Sequence, residues 1–219
     1  MSTIKKIYFI RHGETEANKV RVHQSSDESL TPKGRLQAHH VAHLLEREHN
    51  DALLCSTYVR ARETAEIIGE QLNVPYMTNE SVVEIRRPDH LYGQRYYSSQ
   101  TLFYMIRLFI HRENQNWDHN GAENMFMLRN RIEDAKEAIL NIEGEKIAVV
   151  THDLFMNLFL EYICREKKLS LLQYLRILIL SKRTPNTGII HMEFNPQAPK
   201  GVCPWQLVEI IDPAVQVSA

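Results

Sequence analysis

Apolar and polar residues alternate along this chain in short blocks that predict strands and helices in turn. Four short apolar runs predict buried strands at residues 4–10, 52–55, 74–77 and 146–150. Amphipathic segments that predict helices lie at about 32–45, 57–72 and 154–164. Thr31 followed by Pro32 is typical of a helix start. The order predicts an α/β fold: a three-layer α/β/α sandwich around a mostly parallel central sheet.

Two segments depart from this alternation. Residues 82–120 combine a polar loop with the apolar stretch 102–110, which predicts a helix inserted between core elements. That helix is open to three interpretations: a lid, a dimer contact or ordinary core packing. Near the end, residues 189–194 and 205–210 predict a strand pair, with an antiparallel strand at the sheet edge. Without repeats or linkers, residues 1–219 are expected to form a single domain.

Composition narrows the classes of function. Hydrophobic residues make up 43% and charged residues 24%, with a net charge of −1, so we expect a soluble protein with neither nucleic acid nor a membrane as partner. Three widely spaced cysteines (Cys55, Cys164 and Cys203) predict no disulfide framework and favour a reducing compartment. With neither a signal peptide nor a membrane-length apolar run, the expected location is cytoplasmic.

Candidate chemistry is concentrated where predicted strands end. The first strand runs into Arg11 and His12, the strand at 146–150 runs into His152, and Arg60 follows the strand at 52–55. Ligands of open α/β sheets bind at the carboxyl edge of the strands, so these side chains are expected to converge there. Two guanidinium groups beside two imidazoles match the charge and shape of a phosphoryl group.

Four ordered motifs carry a family resemblance. Arg-His-Gly-Glu-Thr at 11–15 with Asn18, then Leu-Thr-Pro-Lys-Gly at 30–34, resemble the opening signature of the histidine phosphatase (phosphoglycerate mutase-like) superfamily. Residues 56–65 resemble its second motif, 121–123 its Gly-Glu-Ser block, and 149–152 its late histidine motif. The resemblance covers nearly the whole chain and is closest to the generic phosphatase branch.

The resemblance implies a covalent route without metal or other cofactor. His12 would attack phosphorus and form a phosphohistidine that water later hydrolyses. His152 would assist catalysis and bind the phosphoryl oxygens together with Arg11, Asn18 and Arg60. Electrostatics supports the role of His12, because neutral imidazole is the reactive form and two neighbouring arginines disfavour its protonation.

The family also supplies a carboxyl group that protonates the leaving alkoxide. Glu84 is the candidate here, and three other carboxyl groups compete with it: Glu80, Asp89 and Glu123. The chain departs from the mutase-type pattern, because Arg-Arg-Pro occupies 86–88. In that pattern a Tyr-Gly pair and an aromatic-Gly or Gln-Gly pair follow the acid. The chain departs again at Asp153, where the family commonly has glycine. Asp153 would either alter substrate preference or cap the next helix.

Weaker candidates complete the list. Gln24, Ser25 and Arg86 are possible substrate contacts. Three histidines at 39, 40 and 43 share a helix, and a solvated face is the favoured interpretation over a metal site.

The favoured function is therefore a phosphatase acting on a small phosphorylated substrate, and a homodimer is possible. A phosphoglycerate mutase is the first alternative, and a catalytically weak module that binds phospho-ligands or proteins is the second.

Overall fold

A single six-stranded sheet organises the part of the chain that the computed structural model describes, residues 3–164, 170–180 and 184–214. Its strands are β1 (Lys5–Arg11), β2 (Ala52–Cys55), β3 (Tyr76–Thr78), β4 (Lys146–Thr151), β5 (Ile189–Phe194) and β6 (Trp205–Ile211). Their order across the sheet is β3-β2-β4-β1-β5-β6. Strands β1 to β4 are parallel, whereas β5 runs antiparallel to both β1 and β6. The predicted terminal strand pair is confirmed.

Helices lie in the connections between the first five strands. The described residues contain α1 (Glu16–Val20), α2 (Pro32–Glu46), α3 (Val59–Leu72), α4 (Ser99–Ile110), α5 (Met125–Leu140), α6 (Asp153–Tyr162) and α7 (Leu171–Leu180). Two short 3₁₀ turns, Glu80–Val82 and Asp89–Leu91, lie in the long connection between β3 and α4. Within the described ranges, no helix has both the length and the hydrophobicity that crossing a membrane requires.

The sheet is buried on both faces, which explains its continuous apolar strands. On one face, Tyr8 and Ile10 of β1 belong to the core shared with α2 and α3. On the other, Ile7 and Phe9 belong to the core shared with α4, α5 and α6. Successive β1 side chains therefore point into opposite layers. The predicted three-layer sandwich is confirmed.

The start of α2 is fixed against the turn that follows β1. Thr31 caps the helix by accepting a hydrogen bond from the Gly34 amide, with Pro32 in the first helical turn. A Cβ on Gly13 would lie 2.5 Å from the Gly34 carbonyl oxygen, and a Cβ on Gly34 would overlap the Glu14 carbonyl. Both glycines are thus required by a close approach of main chains. This contact holds the turn next to His12 in place.

The prediction of elements misplaced one strand and missed three helices. Strand β3 begins two residues later than expected. The five-residue helix α1 and helix α7 were not predicted. Nor was α5, which carries its buried apolar residues at helical spacing: Met125, Leu128, Ile132, Ala135 and Ile139. Helix α5 adds Arg131 to the site described below.

Helix α4 confirms the expectation of a helix near 102–110, beginning at Ser99. Tyr104 and Leu108 are buried in the core. Leu102, Phe103, Ile106 and Ile110 are about half exposed or more. Core packing therefore accounts for one side of this helix, and its other side is an exposed apolar face.

The sequence predicted no disulfide framework, but one disulfide is present among the described residues. Cys164, just after α6, forms a disulfide with Cys203, which precedes β6, with Cα atoms 5.5 Å apart. A sequence separation of 39 residues conceals this proximity, because it arises only when β6 joins the sheet beside β5. Cys55 is free and buried.

Candidate active site

The carboxyl ends of β1, β2 and β4 meet at one edge of the sheet, where β4 lies between the other two. His12 follows β1, His152 follows β4, and Arg60 lies in the first turn of α3 after β2. The ring centroids of the two histidines are 5.2 Å apart, and Arg60 contacts His12. The structure therefore confirms that His12, His152 and Arg60 lie close together.

His12 is held in one orientation by contacts on both ring nitrogens. Its Nδ1 lies 2.7 Å from the Gly13 carbonyl oxygen, which can only accept, so Nδ1 carries the proton. Its Nε2 therefore presents a lone pair, to which Arg60 Nε donates at 3.2 Å. The Gly13 amide donates to Thr64 Oγ1 of α3 at 3.1 Å, which fixes this turn against the helix.

The environment of His12 keeps its imidazole neutral. The side chain is 3% exposed. Burial, followed by the positive charges of Arg60 and Arg11, holds the pKa of His12 well below its ordinary value. The tautomer and the charge state both suit a nucleophile that attacks through Nε2.

Arg60 is a nearly fully buried guanidinium, at 2% exposure. Besides contacting His12, it donates through Nη1 to the Ser25 carbonyl at 2.7 Å and lies over the Tyr58 ring. Burial lowers its pKa to about 10, so the group stays charged near neutral pH. A cation held this firmly is a preorganised binding group for an anion.

His152 is completely buried beside this pair. Its Nε2 lies 2.8 Å from Ser56 Oγ, which also accepts a hydrogen bond from the Tyr58 amide. Among the described residues, His152 Nδ1 has no hydrogen-bond partner. Burial and the charge of Arg60 hold the pKa of His152 well below its ordinary value. If Ser56 donates to Nε2, the Nδ1–H is available to an incoming oxygen.

Arg11 is anchored at the far side of His12. Its Nη1 donates to the Thr184 carbonyl and lies 4.0 Å from an Asp153 carboxylate oxygen. Asp153 is the first residue of α6, and the N-cap position belongs to His152, so Asp153 is not the cap of that helix.

Asn18 lies close to the site but within a local network. It forms a capping box with Thr15 at the start of α1. Its Oδ1 accepts from Asn186 Nδ2 at 3.0 Å, and the same Nδ2 donates to the His12 carbonyl at 3.2 Å. Asn18 Nδ2 lies 3.4 Å from the Tyr96 hydroxyl. The residue therefore supports the His12 turn through Asn186.

The weaker candidates have modest roles in this geometry. Gln24 accepts a hydrogen bond from Thr15, and Ser25 contributes its main-chain carbonyl to Arg60. Arg86 is exposed and pairs with Glu80 at 3.0 Å. In the free protein, the Arg86 guanidinium is therefore paired with the Glu80 carboxylate.

Glu84 lies on a loop that buried contacts hold firmly. Arg131 of α5 donates to the Val83 carbonyl at 2.7 Å, and Thr151 donates to the Val82 carbonyl at 2.6 Å. Glu84 is half-buried, and its charge acts on Arg60 and on Asp153. It therefore lies within electrostatic reach of the arginine and histidine pair.

Two of the competing carboxyl groups are engaged elsewhere, and the third is exposed. Glu123 forms a buried two-pronged ion pair with Arg131, with both contacts at 2.7 Å. Glu80 accepts from Thr57 and pairs with Arg86. Asp89 begins a 3₁₀ turn at an exposed position. Glu84 remains the best-placed acid of the four.

The histidines of α2 form no metal site. His43 contacts Glu46, and His40 contacts the Pro213 carbonyl. Across residues 3–164, 170–180 and 184–214, no three histidine, cysteine or acidic side chains gather closely enough to hold an ion.

A family profile now decides the classification, since the histidine phosphatase superfamily (branch 1) matches residues 7–203. The chain belongs to this superfamily. A Schizosaccharomyces pombe protein named a probable phosphatase is 27% identical over 74% of this chain and 75% of its own length. A probable phosphoglycerate mutase of Serratia proteamaculans is 30% identical over 68% of this chain and 70% of its own length.

Solved structures agree on the fold. A phosphoserine phosphatase mutant from Entamoeba histolytica superposes with a TM-score of 0.70, covering 95% of this chain and 98% of its own at 20% identity. This histidine phosphatase therefore has the superfamily's fold.

The segment that follows Glu84 contains part of the mutase-type pattern. The Tyr-Gly pair expected of a mutase is present at Tyr92 and Gly93, eight residues after Glu84. The Gly93 amide donates to the His23 carbonyl, which ties this segment to the loop after α1. This segment thus retains one of the two pairs of the mutase-type pattern.

Several supporting residues could not be found from the sequence. Ser56 lies within the second motif, but the sequence indicates no role for it, and no sequence motif marks Thr184, Asn186 or Arg131. Thr184 and Asn186 lie more than 170 residues from Arg11 and His12, whose neighbours they are. The helical spacing of apolar residues in α5 was the one signal that could have indicated Arg131 as a buried charge.

Proposed function

We propose that this chain is a metal-independent phosphatase that hydrolyses small phosphomonoesters through a phosphohistidine on His12. The observation that carries the proposal is the fixed tautomer of His12, with its Nε2 lone pair beside the Arg60 guanidinium. Membership of the superfamily and the phosphatase name of the Schizosaccharomyces pombe relative support hydrolysis as the reaction class.

In the first step, the His12 Nε2 lone pair forms a bond to phosphorus as the ester P–O bond breaks. Nδ1–H becomes more acidic as this bond forms, so its hydrogen bond to the Gly13 carbonyl strengthens toward the transition state. The leaving alkoxide takes a proton from Glu84. Arg60, Arg11 and His152 Nδ1 bind the phosphoryl oxygens and balance their charge.

In the second step, Glu84 accepts a proton from water, whose oxygen attacks phosphorus. The P–N bond breaks, the electron pair returns to His12 Nε2, and inorganic phosphate leaves. Glu84 is again protonated and His12 is again neutral, so both groups are ready for the next ester. The two guanidinium groups supply the positive charge that a metal ion supplies in other phosphatases.

A phosphate-release screen tests this proposal. Sugar phosphates, phosphoglycerates, nucleotides and phosphopeptides are offered to the protein, with His12→Ala as the control and with a chelator in parallel. We expect phosphate release from at least one small ester, loss of release in His12→Ala, and no effect of the chelator. Release that persists in His12→Ala would contradict the proposal, and inhibition by the chelator would contradict metal independence.

Phosphoglycerate mutase activity is the second candidate, because the Serratia proteamaculans relative bears that name and the Tyr92-Gly93 pair is present. A mutase would return the phosphoryl group from His12 to a second hydroxyl of a phosphoglycerate. Interconversion of phosphoglycerates with little phosphate release would favour it over hydrolysis.

A further inference from the structure

Asp153 is an acidic side chain in a site otherwise suited to anions. It directly follows His152, its side chain is 15% exposed, and one carboxylate oxygen lies 4.0 Å from Arg11 Nη1. An ionised carboxylate at this position offsets one of the positive charges offered to a phosphoryl group. The mechanism above does not use it.

Neighbours on several elements face this carboxyl group. Asn157, one turn along α6, donates to its Oδ1 at 3.1 Å, and Thr184 provides a side-chain hydrogen bond. Arg11 on β1 is the facing cation, and Glu84 on its loop is a facing acid. Arg11 also donates to the Thr184 carbonyl, so this one guanidinium is shared between two protein groups and any bound anion.

The charge of Asp153 affects the net charge of the site when a phosphoryl group is bound. Arg11 and Arg60 contribute two positive charges, and a phosphoryl dianion contributes two negative ones. An ionised Asp153 would leave the occupied site with excess negative charge in a buried environment, which is costly. A neutral Asp153 adds no negative charge beside the facing carboxyl group of Glu84, and it turns a repelling oxygen into a hydrogen-bond donor.

We propose that Asp153 couples anion binding to proton uptake: the site accepts a tetrahedral dianion with the Asp153 carboxyl neutral and repels it with that carboxyl ionised. The inference deepens the proposed function, because it concerns the phosphoryl site of the same reaction. It makes Asp153 a specificity-determining residue that favours substrate binding at acid pH.

The position of Asp153 makes this coupling effective near neutral pH. Burial raises the pKa of Asp153 to about 7, with Arg11 opposing and Glu84 reinforcing the rise. A bound dianion adds a further negative neighbour and raises this pKa again. Anion binding at mildly alkaline pH therefore draws one proton from solution.

Sulfate is the appropriate probe because it is tetrahedral and remains a dianion between about pH 5 and pH 9, whereas inorganic phosphate itself titrates in this range. Calorimetry of sulfate binding in two buffers with different ionisation enthalpies measures the protons taken up. At about pH 8, we expect the unmodified protein to take up about one proton and Asp153→Asn about none. Sulfate affinity of the unmodified protein should fall by up to about tenfold per pH unit above neutrality, and that of Asp153→Asn should be nearly flat.

Matched variants assign the proton. His12 and His152 could also take up a proton beside an anion, and so could Glu84. Glu84→Gln should retain the uptake, whereas Asp153→Asn should lose it. Because sulfate is not hydrolysed, the result does not depend on a phosphohistidine forming on His12.

Three results would overturn the coupling. The first is proton uptake by Asp153→Asn equal to that of the unmodified protein. The second is an affinity loss in Asp153→Asn that is the same at every pH, which would show that Asp153 only positions Arg11. The third is no measurable sulfate binding by the unmodified protein at acid pH. Thermal unfolding of each variant at the same pH values confirms that the proteins compared are folded.

Discussion

The Nε of Arg60 donates a hydrogen bond to Nε2 of His12 at 3.2 Å, so the lone pair proposed to attack phosphorus is occupied in the free protein. An incoming phosphoryl group must draw this donor onto one of its own oxygens before His12 can react. The contact keeps His12 oriented and neutral until substrate arrives. Binding of the phosphoryl group and release of the nucleophile are therefore one event.

Replacement of Arg60 should consequently impair catalysis severely. We expect Arg60→Ala to lower kcat/KM by about 10²–10³-fold, the usual cost of losing one preorganised donor to transition-state charge. Arg60→Lys should recover only part of this loss, because lysine lacks the planar fork that contacts His12 and Ser25 together. Steady-state kinetics on a chromogenic phosphomonoester measures both.

Arg62→Ala is the matched control, since Arg62 lies two residues along α3 at an exposed position. It should change kcat/KM by less than about twofold, as surface substitutions usually do. Equal losses in the Arg60 and Arg62 variants would contradict a local role for Arg60.

His12 should remain neutral through mildly acidic pH. Burial and the two arginines lower its pKa, so its imidazole resonances should not titrate between about pH 8 and pH 5. Nitrogen-detected NMR should show a protonated Nδ1 and a bare Nε2 throughout, with a histidine-containing peptide as reference. A midpoint near the peptide's value would contradict the assigned environment.

The lowered pKa of His12 also affects the stability of the protein. Unfolded His12 binds a proton as pH falls through about 6.5, whereas folded His12 does not. Protonation therefore favours the unfolded chain, and His12 should make the free energy of unfolding decrease below that pH. His12→Asn should show a weaker decrease in urea unfolding between about pH 6.5 and pH 5.

Removal of one partner from the buried Arg131–Glu123 ion pair should destabilise the protein strongly. Arg131→Met leaves the Glu123 carboxylate buried and removes the donor to the Ser81 and Val83 carbonyls. We expect the free energy of unfolding to fall by about 3–5 kcal/mol in urea titrations. Adding Glu123→Met should recover the part of this loss that comes from the unpaired charge, whereas the Ser81 and Val83 carbonyls remain without their donor.

A surface pair on the same helix provides the comparison. Glu133→Gln breaks the contact with Lys136, which is 2.7 Å long but has a half-exposed glutamate. This change should cost less than about 1 kcal/mol. Similar costs for Glu133→Gln and Arg131→Met would show that burial does not distinguish the two pairs.

The Gly34→Ala substitution distinguishes the effect of helix propensity on stability from the effect of main-chain packing. Propensity alone predicts that alanine stabilises α2 by about 1 kcal/mol. The alanine Cβ would instead overlap the Glu14 carbonyl, so we expect destabilisation by about 1–3 kcal/mol and lower phosphatase activity through the displaced His12 turn. Lys33→Ala, at the neighbouring exposed position, should stay within about 0.5 kcal/mol. A more stable Gly34→Ala protein would contradict the packing argument.

Local signals in the sequence predicted most of the architecture. Strand β2 was predicted to the residue, and the Thr31-Pro32 start of α2 was correct, because burial on both faces and helix capping leave short-range patterns. Strand β3 was displaced by two residues. All three of its residues are exposed, so no hydrophobic pattern marks its limits.

The centre of the site could be predicted because parallel strands bring their carboxyl ends to one edge. His12, His152 and Arg60 follow three such strands and do converge. The groups that orient them could not be predicted in this way. Asn186 reaches the His12 carbonyl from a loop 174 residues away, and sequence spacing carries no information about such a contact.

Trapping the phosphorylated protein tests the central claim most directly. The protein is mixed with a chromogenic ester carrying radioactive phosphate, quenched within milliseconds in alkaline denaturant, and digested for peptide mapping. We predict acid-labile, alkali-stable label on the peptide that contains His12, formed as fast as the alcohol is released and absent from His12→Ala. Hydrolysis without label on the protein, or label on a residue other than His12, would contradict the account.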